Sequence, residues 1–219
     1  MRGNIFFLCA LTFLAACATV SPREAMNSDV EQAAAIVERF EAIPEKGIPP
    51  AVMRAARGLA ILTVTKAGFI GSVRGGTGVV VARTQNGWSG PSAISTGGLG
   101  AGFQAGAEIT ELVIVLNTPA AVDAFAHGGN FTLGGALSIA AGPIGRSAEG
   151  ALALQAAMYS YSRSQGLFAG VSVEGTVINT REDLNEAYYG KPVSATDILA
   201  GKVRPPADAQ ELLSILAKY

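Results

Sequence analysis

Between Val30 and Phe40 the apolar positions recur at helical spacing. Val30, Ala33, Ala34, Val37 and Phe40 share one face, with Glu31, Glu38 and Arg39 opposite. Ser28-Asp29-Val30-Glu31 has the S-x-x-E spacing of a capping box. The pattern therefore predicts an amphipathic helix of about three turns from Ser28, stopped by Pro44. Pro49 and Pro50 open a second short helix, Ala51–Arg57, which Gly58 ends. The period then changes to that of strands. Apolar runs predict them at Ala60–Thr65, Gly78–Thr84, Trp88–Ile94, Glu111–Leu116, Leu137–Ala141, Met158–Arg163 and Leu167–Asn179, the last broken at Gly175. Asn86-Gly87 is a hairpin signal linking the second and third. A short helix, Pro119–Ala126, follows Asn117-Thr118 and ends at Gly128-Gly129. Asp183–Tyr189, Ala195–Ala200 and Ala207–Lys218 form a helical tail with Pro205-Pro206 between the last two. Strands in series, with helices at both ends and few βαβ units, indicate an α+β fold. Its sheet is expected to be mainly antiparallel, curved and Gly-rich, a sandwich or partial barrel.

Composition explains how such a sheet is built. Residues 58–175 hold 23 of the 27 glycines, too closely interleaved with Val, Ile and Leu for a disordered segment. Glycine there permits bulges, close strand packing and clusters of unpaired N–H groups that can face an anion. Gly98, Gly102 and Gly106 recur every four residues. Gln104 and Glu108 interrupt that series, so a packed or bulged strand is favoured over a membrane glycine zipper.

The N-terminus reads as an export signal. Arg2 precedes an apolar run, Ile5 to Ala16, that ends Leu14-Ala15-Ala16-Cys17. This resembles a bacterial lipobox, with residues 1–16 as leader, Cys17 as the acylated first mature residue, 17–28 as a tether and 29–219 as the domain. Cys9 leaves with the leader, so no disulfide or Cys-based metal site follows. Ala18 after the cysteine points, by analogy, to the outer membrane, facing the periplasm.

Without Arg2 the chain carries 15 basic and 17 acidic residues, which argues against nucleic-acid binding. The distribution is uneven. From Lys46 to Ala107 there is no Asp or Glu, while Lys46, Arg54, Arg57, Lys66, Arg74 and Arg83 all fall there. Arg74 precedes Gly75-Gly76-Thr77-Gly78, and a guanidinium beside loop amides suits a phosphate. The candidate anionic-lipid site is therefore Arg54, Arg57, Lys66, Arg74, Gly75 and Gly76. Arg83 and Arg146 end strands and have Glu108 or Glu149 as candidate partners.

Enzymatic signals are weak. His127 is the only histidine and sits before Gly128-Gly129, as a helix-capping residue would. Gly170-Val-Ser172-Val-Glu-Gly175 misses the nucleophile-elbow spacing. Gly100-Ala-Gly102-Phe-Gln-Ala105 is a loose dinucleotide fingerprint with no helix after it. No cofactor, metal or catalytic set is expected. Trp88, Tyr159, Tyr161, Phe168, Tyr188 and Tyr189 read as core or rim aromatics. The first helix carries more acid than base on its polar face, which favours packing on the sheet over insertion in an anionic membrane.

Several set pieces resemble the SYLF domain. They include Gly58-Leu-Ala-Ile-Leu-Thr-Val-Thr-Lys66, Arg74-Gly-Gly-Thr-Gly-Val-Val-Val-Ala-Arg83, Trp88-Ser-Gly-Pro-Ser-Ala-Ile94 and Gly128-Gly-Asn-Phe-Thr-Leu-Gly-Gly135. Ala140-Ala-Gly-Pro-Ile-Gly-Arg146, Tyr159-Ser-Tyr-Ser-Arg-Ser-Gln-Gly-Leu-Phe-Ala-Gly-Val-Ser-Val-Glu-Gly175 and Asp197-Ile-Leu-Ala-Gly-Lys202 extend it. The likeness covers nearly all of the chain after the leader. It implies a membrane module that binds phosphoinositides, in some members linked to actin. A bacterial envelope offers little phosphoinositide and no actin, so the implied partner here is anionic phospholipid in general. The alternative is an envelope interaction protein that docks a protein partner or self-associates, with lipid only as anchor.

Overall fold

The computed structural model describes residues 20–43, 47–68, 71–101, 106–127, 131–132, 138–143, 156–165 and 177–219. The lipobox with Cys17, Lys46, Arg146, Glu149, Gly102 and most of the predicted 167–179 strand lie outside them.

Helix α1 is Pro22–Glu41, longer than the pattern predicted. Its cap is Ser21, not Ser28: Glu24 N–H donates to Ser21 Oγ while the Glu24 carboxylate accepts from Ser21 N–H. Pro22 at the first helical position fixes φ without costing a hydrogen bond. The stretch read as a tether to residue 28 is thus helical from Pro22 onward. Helix α2, Pro50–Ala55, follows.

The strands are β1 Gly58–Gly68, β2 Gly71–Thr84, β3 Gly87–Trp88, β4 Ser92–Ala101, β5 Gly106–Leu116, β6 Phe131–Thr132, β7 Ile139–Ala141, β8 Met158–Gln165 and β9 Val177–Thr180. They form one open sheet in the order β6-β9-β4-β2-β1-β5-β8-β7, with β3 paired to β2 alone. Among the described residues every pairing is antiparallel except β7 with β8. The Asn86-Gly87 hairpin forms as predicted, with Gly87 at φ 109°. Helix α3 is Pro119–Ala126, capped by the Thr118 side chain; α4 is Glu182–Tyr189, α5 Ala195–Leu199 and α6 Gln210–Leu216. The expected α+β class, with its antiparallel sheet and helices at both chain ends, is what the chain adopts.

Alternation along the strands divides the core in two. Leu59, Ile61, Val79, Val81, Val113 and Val115 face α1, α2, α4 and α6. Ala60, Leu62, Val80, Ile94, Ile114 and Leu116 face α3 and α5. Helix α1 crosses the first face along one row of paired residues, Thr77, Thr63 and Glu111. Thr77 Oγ1 donates to Asp29 Oδ1 at 2.7 Å, Thr63 Oγ1 donates to Gln32, and Arg39 Nη2 reaches Glu111 at 2.8 Å. Met26, Val30, Ile36, Val37 and Phe40 are at most 4% exposed. Lifting α1 off the sheet would forfeit roughly 10 kcal/mol of apolar burial at about 2 kcal/mol per side chain. Packing, the favoured expectation, is what the structure shows.

One expectation fails. Arg74-Gly75-Gly76-Thr77-Gly78 is not a loop but the middle of β2, a strand paired on both sides. Its amides belong to sheet ladders, so no nest of unpaired N–H groups forms there. Glycine serves packing instead: a Cβ on Gly76 would lie 2.5 Å from the Thr63 carbonyl oxygen, and one on Gly78 would run into the Ile61 carbonyl.

Candidate functional site

The register separates the six sequence-predicted residues into two groups. Lys66 and Arg74 are paired neighbours on the face shared with Glu108, which is buried beside Lys66. Arg57 immediately precedes Gly58, and Arg54 lies on α2. Gly58 and Lys66 are eight residues apart on one strand, about 26 Å at the usual rise per residue. The six residues therefore do not form one pocket. Each group marks a different end of the sheet.

At the far end, two aliphatic side chains remain in water. Val73 is 63% and Ile109 51% exposed. Val73 adjoins Arg74 in sequence, and Ile109 pairs with Thr65, next to Lys66. Val73, Ile109 and Val20 are the large apolar residues left exposed among those described. Gly75 pairs with Gly97 in the same region, and a Cβ at either would meet open space. Lys66 and Arg74 lie on the opposite face of this end, each with an interaction inside the fold. On the α1 face, Arg39 and Arg163 share the single carboxylate of Glu111, at 2.8 and 3.6 Å. This strand end thus carries exposed hydrocarbon on the α1 face and the side chains of Lys66 and Arg74 on the other.

At the near end, a cleft of about 880 Å³ gathers Arg57, Arg83 and Arg204 around Trp88. Arg83 is held in place: its guanidinium lies 4.1 Å from the centre of the Trp88 ring, and Nη2 donates to Met53 O at 3.3 Å. Burial lowers its pKa from the ordinary arginine value. Glu108, a candidate partner for Arg83, instead stands opposite Lys66 at the other end of the sheet. The Trp88 indole N–H donates to Leu216 O at 2.9 Å, tying the cleft wall to α6. Sequence reasoning missed Arg204, which lies 121 positions beyond Arg83. The Pro205-Pro206 stop beside it was visible, but which strand end the tail reaches is a matter of tertiary packing.

His127 caps α3. Its backbone N–H and ring Nδ1 both lie within hydrogen-bond distance of Asp123 O, at 3.0 and 2.8 Å. Among the described residues, no group of three or more His, Cys, Asp or Glu could hold a metal ion. No helix described is long and apolar enough to cross a membrane.

Comparison with known proteins places these features in a family. Residues 97–219 match the model for Ysc84, described as "Las17-binding protein actin regulator". The chain is 48% identical over 202 residues to SH3 domain-containing YSC84-like protein 1 of Homo sapiens, covering 89% of this chain and 59% of that protein. It is 46% identical over 201 residues to LAS seventeen-binding protein 3 of Saccharomyces cerevisiae, covering 87% of this chain and 44% of that protein. The chain therefore spans about half the length of these relatives.

Proposed function

This chain belongs to the Ysc84, or SYLF, family, and from that premise we propose a non-catalytic domain that binds anionic phospholipid surfaces while tethered by an acylated Cys17. One observation carries the reading: Val73 and Ile109, exposed aliphatics, share the strand end of Lys66 and Arg74. Hydrocarbon that enters the interface and cations that meet lipid phosphates are the two elements of peripheral membrane binding. The proposed anchor reinforces it. Cys17 lies five residues before Pro22, a reach of at most about 18 Å. Helix α1 crosses the sheet only one row from Ile109 and Gly75. An anchored domain therefore meets the same membrane at high effective concentration. In this reading residues 1–16 are removed and the protein sits at the outer membrane, facing the periplasm.

Flotation of unacylated protein with vesicles tests it. Recovery is expected with anionic vesicles at low salt and to fall with neutral ones. Equal recovery with both overturns the reading.

The relatives' names favour a second reading. They denote SH3-containing and Las17-binding proteins, so a protein partner of the envelope is the alternative ligand, with lipid serving only as anchor. A stable oligomer or hetero-complex on size exclusion, with no vesicle recovery, would select it.

A further inference from the structure

We propose that the near-end cleft is a second binding site, for a soluble phosphate-bearing anion. Arg57, Arg83 and Arg204 come from three separate parts of the chain and converge there, and none of the residues lining the cleft is Asp or Glu. Among the described residues no carboxylate pairs with Arg57 or Arg204, whereas Arg23, Arg181, Lys202 and Lys218 each have one. A neighbouring hollow lined by Glu182, Glu186, Asp197, Lys191 and Lys202 shows that mixed-charge contrast.

The chemistry of the cleft is specific. Arg83 is pre-organised by the Trp88 face and the Met53 carbonyl, so it presents a fixed fork at little entropic cost. Arg57 is anchored at its backbone, where its N–H donates to Leu116 O and its carbonyl accepts from Arg83 N–H, both at 2.8 Å. That fixes the spacing of two guanidinium stems. Arg204 closes the third side from the loop before the Pro205-Pro206 stop. Three guanidinium groups around a cleft of about 880 Å³ suit a multiply charged anion of small-molecule size, and phosphate oxygens match their planar forks.

Position selects the source. The cleft is about 26 Å along β1 from Lys66, at the end away from the exposed aliphatics, so it faces off the membrane in the orientation proposed above. The inference rests on that orientation only for the choice between soluble and lipid phosphate.

Calorimetric titration of the unacylated protein with inorganic pyrophosphate at low salt tests the site. One-site binding is expected, with Arg57→Gln and Arg204→Gln each weakening it about tenfold, the scale of one charge-assisted hydrogen bond. Both arginines are exposed, and unchanged circular dichroism would confirm that the variants fold. A Val73→Ser, Ile109→Ser double variant should leave pyrophosphate binding unchanged even if it abolishes vesicle recovery. Failure to bind pyrophosphate, or binding that both arginine variants leave intact, overturns the proposal. So does arginine dependence confined to phosphatidic acid vesicles, which would make the cleft a headgroup site.

Discussion

Replacing Val73 and Ile109 together with serine should weaken vesicle binding by a calculable amount. Val73 keeps 63% and Ile109 51% of its surface in water. Full burial of such a side chain is worth about 1.5–3 kcal/mol, so the exposed portions are worth roughly 1 kcal/mol each in hydrocarbon, about 2 kcal/mol for the pair. That corresponds to about a thirtyfold loss in partition coefficient. The folded state should lose no more than about 1 kcal/mol per site, because less than half of each side chain is buried. The assay is sedimentation with sucrose-loaded anionic vesicles over a range of lipid concentrations, repeated at rising salt. Apolar contacts are insensitive to ionic strength, whereas contacts of exposed cations are screened. The double variant should therefore shift the whole salt curve down without changing its slope. A loss below threefold, in protein that urea titration shows to be folded, would refute the assignment of this strand end as the membrane contact.

Other outcomes follow from the interior. Asn185 is fully buried, and its side chain accepts from Ala93 N–H at 2.7 Å and donates to Ser92 Oγ at 3.0 Å. Asn185→Ala strands both groups and should cost about 3–4 kcal/mol in urea unfolding with an unchanged m-value. Asp29 is held above the ordinary 3.8 chiefly by burial, opposed by the Thr77 hydroxyl and by Arg181. A carboxyl raised in the folded state contributes stability that is present below 3.8 and lost as pH rises through its folded value. Asp29→Asn, which keeps an oxygen acceptor for Thr77, should therefore gain stability relative to the parent as pH rises from 3 to 7. A difference that does not vary with pH would contradict this. His127→Ala should remove only a cap contact on α3, lowering stability by about 0.5–1 kcal/mol and leaving vesicle and pyrophosphate binding unchanged.

What the sequence disclosed follows the range of the forces involved. The Asn86-Gly87 turn, the Pro119–Ala126 helix and the apolar face of α1 are local, and each was legible from spacing alone. The start of α1 was not, because Ser21 and Ser28 both offer S-x-x-E. Pro22 favours the earlier cap, and residues 22–28 gain partners such as Asp208, to which Arg23 is bridged at 3.3 Å. The glycine-rich run at 74–78 misled for a related reason. Loop and central strand have the same local sequence there, and only the neighbours β1 and β4 decide that its amides are paired and its glycines needed for close approach. Charge was legible as a quantity but not as a place. The acid-free stretch 46–107 did foreshadow cationic ends, yet β1 carries Arg57 and Lys66 to opposite ends of the sheet. A long strand turns proximity in sequence into distance in space. Conversely, the fold brings Arg204 to Arg57 from the far end of the chain. An acid-free segment thus becomes two separable surfaces, and substitutions at one should leave the other's ligand untouched.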